Sequence, residues 1–165
     1  MADARAALRF RGEAPRGMAA DILRLAWHSD AFAALVLYRA KARLQAQRVP
    51  VLPRLAHRLA MALAQVSIGD PVTIEAGLYL PHGQVVVDGL VQVGADVVIG
   101  PFVTIGLRAG NLQGPVLEDG VHVGTGAKLI GPIRVGAGAQ IGAGAVVVSD
   151  VPAGATVAGV PAHPV

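Results

Sequence analysis

Residues 121–147 read VHVGTGAKLIGPIRVGAGAQIGAGAVV, and an aliphatic side chain recurs there at every sixth place: Val123, Leu129, Val135, Ile141 and Val147. Upstream the series continues through Leu117, Ile105, Ile99 and Val93 to Val87, with Asn111 as its one exception. Gly often follows the aliphatic, at Gly94, Gly100, Gly106, Gly124, Gly136 and Gly142. Four places after the aliphatic comes a small or short residue: Val91, Val97, Val103, Val121, Ala127, Ala139 or Ala145. An earlier unit, Ile68-Gly69-Asp70-Pro71-Val72-Thr73 before Ile74, keeps the same grammar. A fixed short period marks a solenoid, each unit too small to bury its apolar side alone. One hexad supplies a short strand and a turn, and three hexads make a triangular coil. The aliphatic points inward, the short residue lies near a corner, and Gly is expected to supply a turn conformation that a Cβ resists.

Composition agrees. Hydrophobic residues make up 53% of the 165, yet aromatics only 4%, so Val, Ile, Leu and Ala must build the core. The 21 Gly and 11 Pro exceed what a helical protein carries and lack the collagen period. With no Cys, disulfides, thiolate zinc sites and a cysteine nucleophile are excluded. Charges scattered through the first residues predict no signal peptide, and the apolar run 31–38 is too short to cross a bilayer. A cytoplasmic protein is expected.

Before the repeats, residues 1–65 read as a helical arm, with the solenoid spanning 66–165. Residues 1–17 are expected to be loosely attached. Ile22, Leu25, Ala26 and then Phe32, Leu35, Val36 follow helical spacing, divided by an N-cap at Ser29-Asp30. Val49-Pro50 ends that stretch. Pro53 opens a third helix to about Gln65, with Leu55, Leu59 and Leu63 as its apolar side. Up to Val66 there are eleven Lys and Arg against four Asp and Glu; from Ser67 onward, three against seven. A cationic arm on an acidic body could bind a membrane surface or a polyanion, but the stronger reading is the solvated faces of amphipathic helices, with no membrane or nucleic-acid contact expected.

The repeat breaks twice, and function in a solenoid concentrates at such breaks. Thirteen residues separate Ile74 from Val87 where twelve would keep phase, and this segment carries His82. Imidazole suits proton removal from a hydroxyl near neutral pH, which makes His82 a candidate base. The second break, Leu107-Arg108-Ala109-Gly110-Asn111-Leu112-Gln113-Gly114, keeps phase and is either a loop or an irregular stretch of coil. His28 and His57 fall in the arm, where packing is the plainer role. His122 is open between inert surface and site contact.

Leu78-Tyr79-Leu80-Pro81-His82, the hexad repeat, and the ending Asp150-Val151-Pro152 with Ala158-Gly159-Val160-Pro161-Ala162 together resemble the serine acetyltransferase family. The likeness is to its short and polysaccharide-modifying relatives above all, and runs from about Trp27 to the end. The resemblance implies an all-β solenoid, a left-handed parallel β-helix, with a short α-helical arm. It implies CoA-dependent acetyl transfer from acetyl-CoA to a hydroxyl of serine or a sugar, by direct transfer with His82 as general base. A backbone N–H in the segment 106–110 is the expected oxyanion donor. Contacts to CoA carry over to Thr125, Ala143, Val148 and His163. The resemblance also implies a homotrimer with sites between subunits.

The sequence departs from the family pattern in places. Pro81 stands where an acidic residue precedes the base, and Asn111-Leu112-Gln113-Gly114 replaces a downstream His and its adjacent Arg. Arg108 and Asn111 are the candidate substitutes on the acceptor side, with Asp30 matching an acid from the family's helical region. A cysteine-synthase complex is not expected, since the chain stops at Val165 without an extended tail. A zinc enzyme on the same prism needs three converging His, and only His82 and His122 are on offer, so no metal is expected. A trimeric scaffold without catalysis is the remaining alternative.

Overall fold

The computed structural model describes residues 2–165 and begins with four helices: α1 (Ala2–Arg11), α2 (Met18–His28), α3 (Asp30–Ala46) and α4 (Leu52–Ala64). Ser29 separates α2 from α3 as expected, its Oγ accepting the Phe32 amide at 3.3 Å. Pro53 lies in the first turn of α4.

Two readings of the arm need correction. Residues 2–11 are not loosely attached: Ala4, Ala7 and Leu8 are buried on one side of α1. Asp3 anchors the helix, its carboxylate accepting from Arg39 Nε (2.8 Å) and Nη2 (3.0 Å) and from the Gly77 and Leu78 amides (2.9 and 3.0 Å). Alanine spacing is too faint a signal, and the anchor lies far along the chain. The second correction concerns α4. Its buried side is Pro53, Ala56, Ala60 and Ala64, while Leu55, Leu59 and Leu63 face outward. Small residues four apart let α4 pack closely on α3, and a leucine stripe would hold the two helices apart.

The strands are β1 (Val66–Ile68), β2 (Thr73–Ile74), β3 (Val85–Val87), β4 (Leu90–Val93), β5 (Val98–Ile99), β6 (Thr104–Gly106) and β7 (Gln113–Leu117). They continue as β8 (His122–Val123), β9 (Lys128–Ile130), β10 (Arg134–Val135), β11 (Gln140–Ile141), β12 (Val146–Val147), β13 (Thr156–Ala158) and β14 (His163–Pro164). Sheet A runs β1-β3-β6-β9-β12, sheet B runs β2-β4-β7-β10, and sheet C runs β5-β8-β11-β13-β14. All neighbours are parallel except β13 and β14. Isolated bridges Tyr79–Val98 and Val135–Val151 complete the rotation, so the chain visits A, B and C in turn and three parallel sheets wall a coil.

Register gives the coil length. Val86 pairs with Thr104, Lys128 with Val146 and His122 with Gln140, each eighteen residues on, three hexads. The ten series aliphatics from Val87 to Val147 are buried, as are the seven short residues that follow them.

The glycines after the aliphatics do a different job from the one expected. Gly124 is not in the left-handed region; a Cβ there would meet the Ala143 amide nitrogen of the next coil at 2.7 Å. The left-handed turn is made two residues later, at Gly126 (φ +73°). The first glycine therefore lets coils stack, and the second turns the corner.

Each end of a solenoid exposes unpaired strand groups that need covering. At the start, α3 supplies the cover. Tyr38 Oη donates to the Val72 carbonyl (3.3 Å), Arg39 Nη1 and Nη2 to Ile74 and Glu75 (2.7 and 2.6 Å), and the buried Lys41 Nζ to Ile68 (2.7 Å). At the far end β14 folds back along β13, and the Ala162 amide donates to the Val146 carbonyl at 2.9 Å.

Candidate active site

The prism has three edges, and the candidate residues divide among them. One edge is formed where the chain passes from sheet C to sheet A. Down it come Pro81-His82-Gly83, then Pro101-Phe102, then Gly124-Thr125-Gly126, then Gly142-Ala143-Gly144. The coils are tied there by Gly126 N to Pro101 O and Gly144 N to Thr125 O, both 2.8 Å. Strand spacing sets the rise, so His82 stands about 10 Å from Thr125 and about 14 Å from Ala143 along the axis.

The extra residue of the first break lies in the His82 corner itself. Tyr79 pairs with Val98 nineteen residues on, whereas Val86 pairs with Thr104 eighteen on, which confines the insertion to the stretch between them. Gln84, with a left-handed φ of 63°, holds the corner place that residue 102 fills one coil on. The corner is held from behind: Leu78 and Leu80 are buried, and the Gln84 amide donates to the Ala64 carbonyl at the end of α4 (2.8 Å). A Cβ on Gly83 would overlap that same carbonyl, so glycine is required there. Tyr79 packs with Phe10 at 4.7 Å between ring centroids, and burial pushes its phenol up. His82 is thus an exposed imidazole on a firmly seated, widened corner.

The second edge, from sheet A to sheet B, carries the other break. Val98 pairs with His122 twenty-four residues on, one whole hexad more than a regular coil. The surplus leaves the prism as a loop over 107–112, which resolves the two readings in favour of a loop. Arg108 and Asn111 face each other across its tip, with the Asn111 amide donating to the Arg108 carbonyl at 3.0 Å. Asn111 Oδ1 accepts the Gln113 amide at 2.8 Å, so that side chain shapes its own turn. Val148 is exposed on this same edge.

Thr125 and Ala143 are therefore brought onto the edge of His82, while Arg108, Asn111 and Val148 share another. The segment 106–110 that was to supply an oxyanion donor begins on that second edge as well. His163 is exposed in β14 on the outer border of sheet C. Asp30 is exposed on the first turn of α3, where a carboxylate suits the helix dipole. His122 is exposed on β8, in the face of sheet C.

One residue escaped the sequence reading. Phe102 occupies the corner place taken by Gly126 and Gly144 in the following coils, and like them it is left-handed (φ 61°). Bulky residues rarely adopt that conformation. Phe102 is 56% exposed, and its carbonyl accepts Lys128 Nζ at 2.7 Å. The signal was available as a phenylalanine where the hexad pattern calls for glycine. Around it, residues 81–84, 100–103, 124–127 and 142–145 include no carboxylate.

Cavities of 720 and 420 Å³ lie on the helical arm, and neither is lined by His82, Thr125 or Ala143. A prism edge is convex, so one chain alone encloses nothing there. Among the described residues no three His, Asp or Glu are grouped to hold a metal ion, and no helix is long and apolar enough to cross a membrane.

Comparison with known proteins matches residues 66–81 to the family described as hexapeptide repeat of succinyl-transferase. A serine acetyltransferase of Synechococcus elongatus is 40% identical over 134 residues, covering 79% of this chain and 54% of that protein. One from Helicobacter pylori is 39% identical over 130 residues, covering 76% and 75%. The crystal structure of Neisseria gonorrhoeae serine acetyltransferase in complex with serine superposes with a TM-score of 0.84 at 34% identity, covering 99% of this chain and 66% of that one. The Brucella abortus enzyme in complex with coenzyme A gives 0.78 at 32% identity, covering 82% and 56%. The chain thus spans about half the length of the Synechococcus relative and three quarters of the Helicobacter one.

Proposed function

The chain belongs to the serine acetyltransferase family, and from that premise we propose that it moves an acetyl group from acetyl-CoA to a hydroxyl of a small acceptor, with His82 as general base. In the same reading the coil winds left-handed, residues 1–65 form the arm, and residues 66–165 form the acyltransferase domain. The observation that carries the proposal is the shared edge: His82 in a widened corner, with Thr125 and Ala143 on the coils beyond it.

The chemistry follows from that arrangement. The His82 imidazole takes the proton of the acceptor hydroxyl as its oxygen bonds to the thioester carbon. The carbon–sulfur bond then breaks, and the imidazolium returns the proton to the departing thiolate. The acceptor leaves as its O-acetyl ester, and no residue of the chain is acylated. Small residues fit the cofactor arm: with Gly124, Gly126, Gly142 and Gly144 flanking Thr125 and Ala143, a chain of amides can lie against backbone along the edge. His163, at the far end of sheet C, is assigned to the CoA phosphates, and Val148 to a cofactor contact from its own edge.

A convex edge needs a second wall. We assign that wall to a neighbouring chain in a homotrimer, whose 107–112 loop brings Arg108, Asn111 and the backbone N–H groups of 106–110 towards His82. Asp30 is the remaining acceptor candidate.

Phe102 favours a second reading of the acceptor. An exposed aromatic residue one coil from His82, on an edge without carboxylates, suits the apolar face of a sugar better than the ammonium group of free serine. The deciding experiment follows thiol release from acetyl-CoA with L-serine and with a panel of nucleotide-linked and oligomeric sugars. Release with any hydroxyl acceptor supports the enzyme. Measurable CoA binding without release on the whole panel supports the non-catalytic trimer instead.

A further inference from the structure

The turning-out of α4 leaves an apolar stripe with no cover from its own chain. Leu52, Leu55, Leu59 and Leu63 recur at spacings of three and four, so they form one line along the helix, each 43–53% exposed. Between Ala31 and Gln65 the sequence has six cations, Arg39, Lys41, Arg43, Arg48, Arg54 and Arg58, and no acid. Arg39 and Lys41 turn inward to the first coil. The other four form no ion pair among the described residues. Arg54 and Arg58, four apart, run along one margin of the leucines, and the buried alanines bound the other.

We infer that the face of α4 formed by Leu52, Leu55, Leu59 and Leu63 with Arg54 and Arg58 docks on an anionic lipid bilayer. A helix lying in a membrane interface needs this pattern: leucines to enter the acyl boundary and cations to meet lipid phosphates. Arginine fits the margin because its stem lies on apolar surface while its planar fork reaches phosphate oxygens. Charge argues against a second copy of the same face as the occupant. Two such faces would bring arginines together with no carboxylate on either helix to oppose them. The prism carries seven of the chain's eleven acidic residues against three cations, while the arm has eleven cations against four acids, so a negatively charged surface draws the arm in and pushes the body away. An acetyl acceptor at a membrane surface would then come within reach, although the docking does not depend on the catalytic reading.

The test is co-sedimentation of the full chain with vesicles of phosphatidylcholine alone or mixed with phosphatidylglycerol, at low and high salt. Partition is expected only with the anionic vesicles and is expected to fall with salt. Arg54→Gln/Arg58→Gln should lower it about 30-fold, and Leu55→Gln/Leu59→Gln about 10-fold or more, with unchanged far-ultraviolet dichroism in both. No preference for anionic vesicles overturns the inference, as does full partition by the leucine variant. Light scattering that gives the wild type a larger mass than the leucine variant, without vesicle binding, also overturns it and assigns the stripe to a second copy. None of these readouts needs turnover, so the catalytic proposal stands or falls separately.

Discussion

Asp3 accepts the Gly77 amide at 2.9 Å across 74 residues of chain. The same carboxylate takes the Leu78 amide and a two-point bond from Arg39. A helix at the start of the chain thereby fixes the entrance to the segment that carries His82. Asp3→Ala leaves two amides and a guanidinium without their acceptor, and should cost about 3 kcal/mol. Denaturant unfolding measures this. The looser corner should also lower turnover, if one is found, in variants that remain folded.

His82 itself is expected to matter to chemistry and little to stability, because it is exposed at its corner. His82→Ala should reduce turnover by about 10²- to 10⁴-fold, the usual share of a general base. Calorimetric CoA binding and the melting temperature should barely change. Full activity in this variant would remove His82 from the mechanism.

Phe102 makes the opposite bargain. Its left-handed backbone is a place where glycine is more stable, and its exposed ring adds little burial. Phe102→Gly should therefore raise stability by about 1 kcal/mol. If the ring holds the acceptor, the acceptor KM should rise about 10-fold, the loss of one modest contact, with kcat and CoA affinity nearly kept. A more stable variant with an unchanged KM would leave Phe102 as a strained corner without a ligand role.

The repeat was legible because each hexad obeys the same local rule, so even the phase of both breaks could be counted from Ile74, Val87 and Asn111. What escaped depends on partners far away in sequence. Ala4 and Ala7 in α1 become core only because Asp3 finds Gly77 and Arg39. Leu55 and Leu59 read as the inward side of α4 on hydrophobicity alone, yet close helix packing selected the alanines. The candidate site was half legible. His82, Thr125 and Ala143 could be named by resemblance, but their common edge, and the separation of Arg108 and Val148 from it, follow from the order of the sheets.

Asp70 gives a pH-dependent prediction. The hydrogen bond from the buried Lys41 (2.9 Å), then one from Gln45, hold its carboxyl below the usual range. A lowered folded-state value means that the contribution is present above the unfolded value and disappears as pH falls through the folded one. The stability gap between wild type and Asp70→Asn should be constant near neutrality and shrink as the pH falls below the ordinary aspartate value of about 4. Chemical denaturation at several pH values reads it. A gap that grows on acidification would show that the Lys41 bond does not stabilise the charged form.

The 107–112 loop is a whole hexad inserted between β6 and β7, so removing it should leave a regular coil. Deleting Leu107–Leu112 shortens the Val98-to-His122 interval from twenty-four residues to eighteen, the spacing of the coils that follow. Gln113 then falls at the corner place of Gly131, whose φ is +89°, so Gln113→Gly belongs in the same variant. The buried line from Ile105 to Leu117 keeps its phase, and the melting temperature should hold or rise as a six-residue loop and its closure entropy are lost. Arg108 and Asn111 go with the loop. If a neighbour's loop completes the site at His82, turnover should fall by at least about 10²-fold while CoA still binds along Thr125 and Ala143. Unchanged turnover in a folded variant would place the second wall elsewhere.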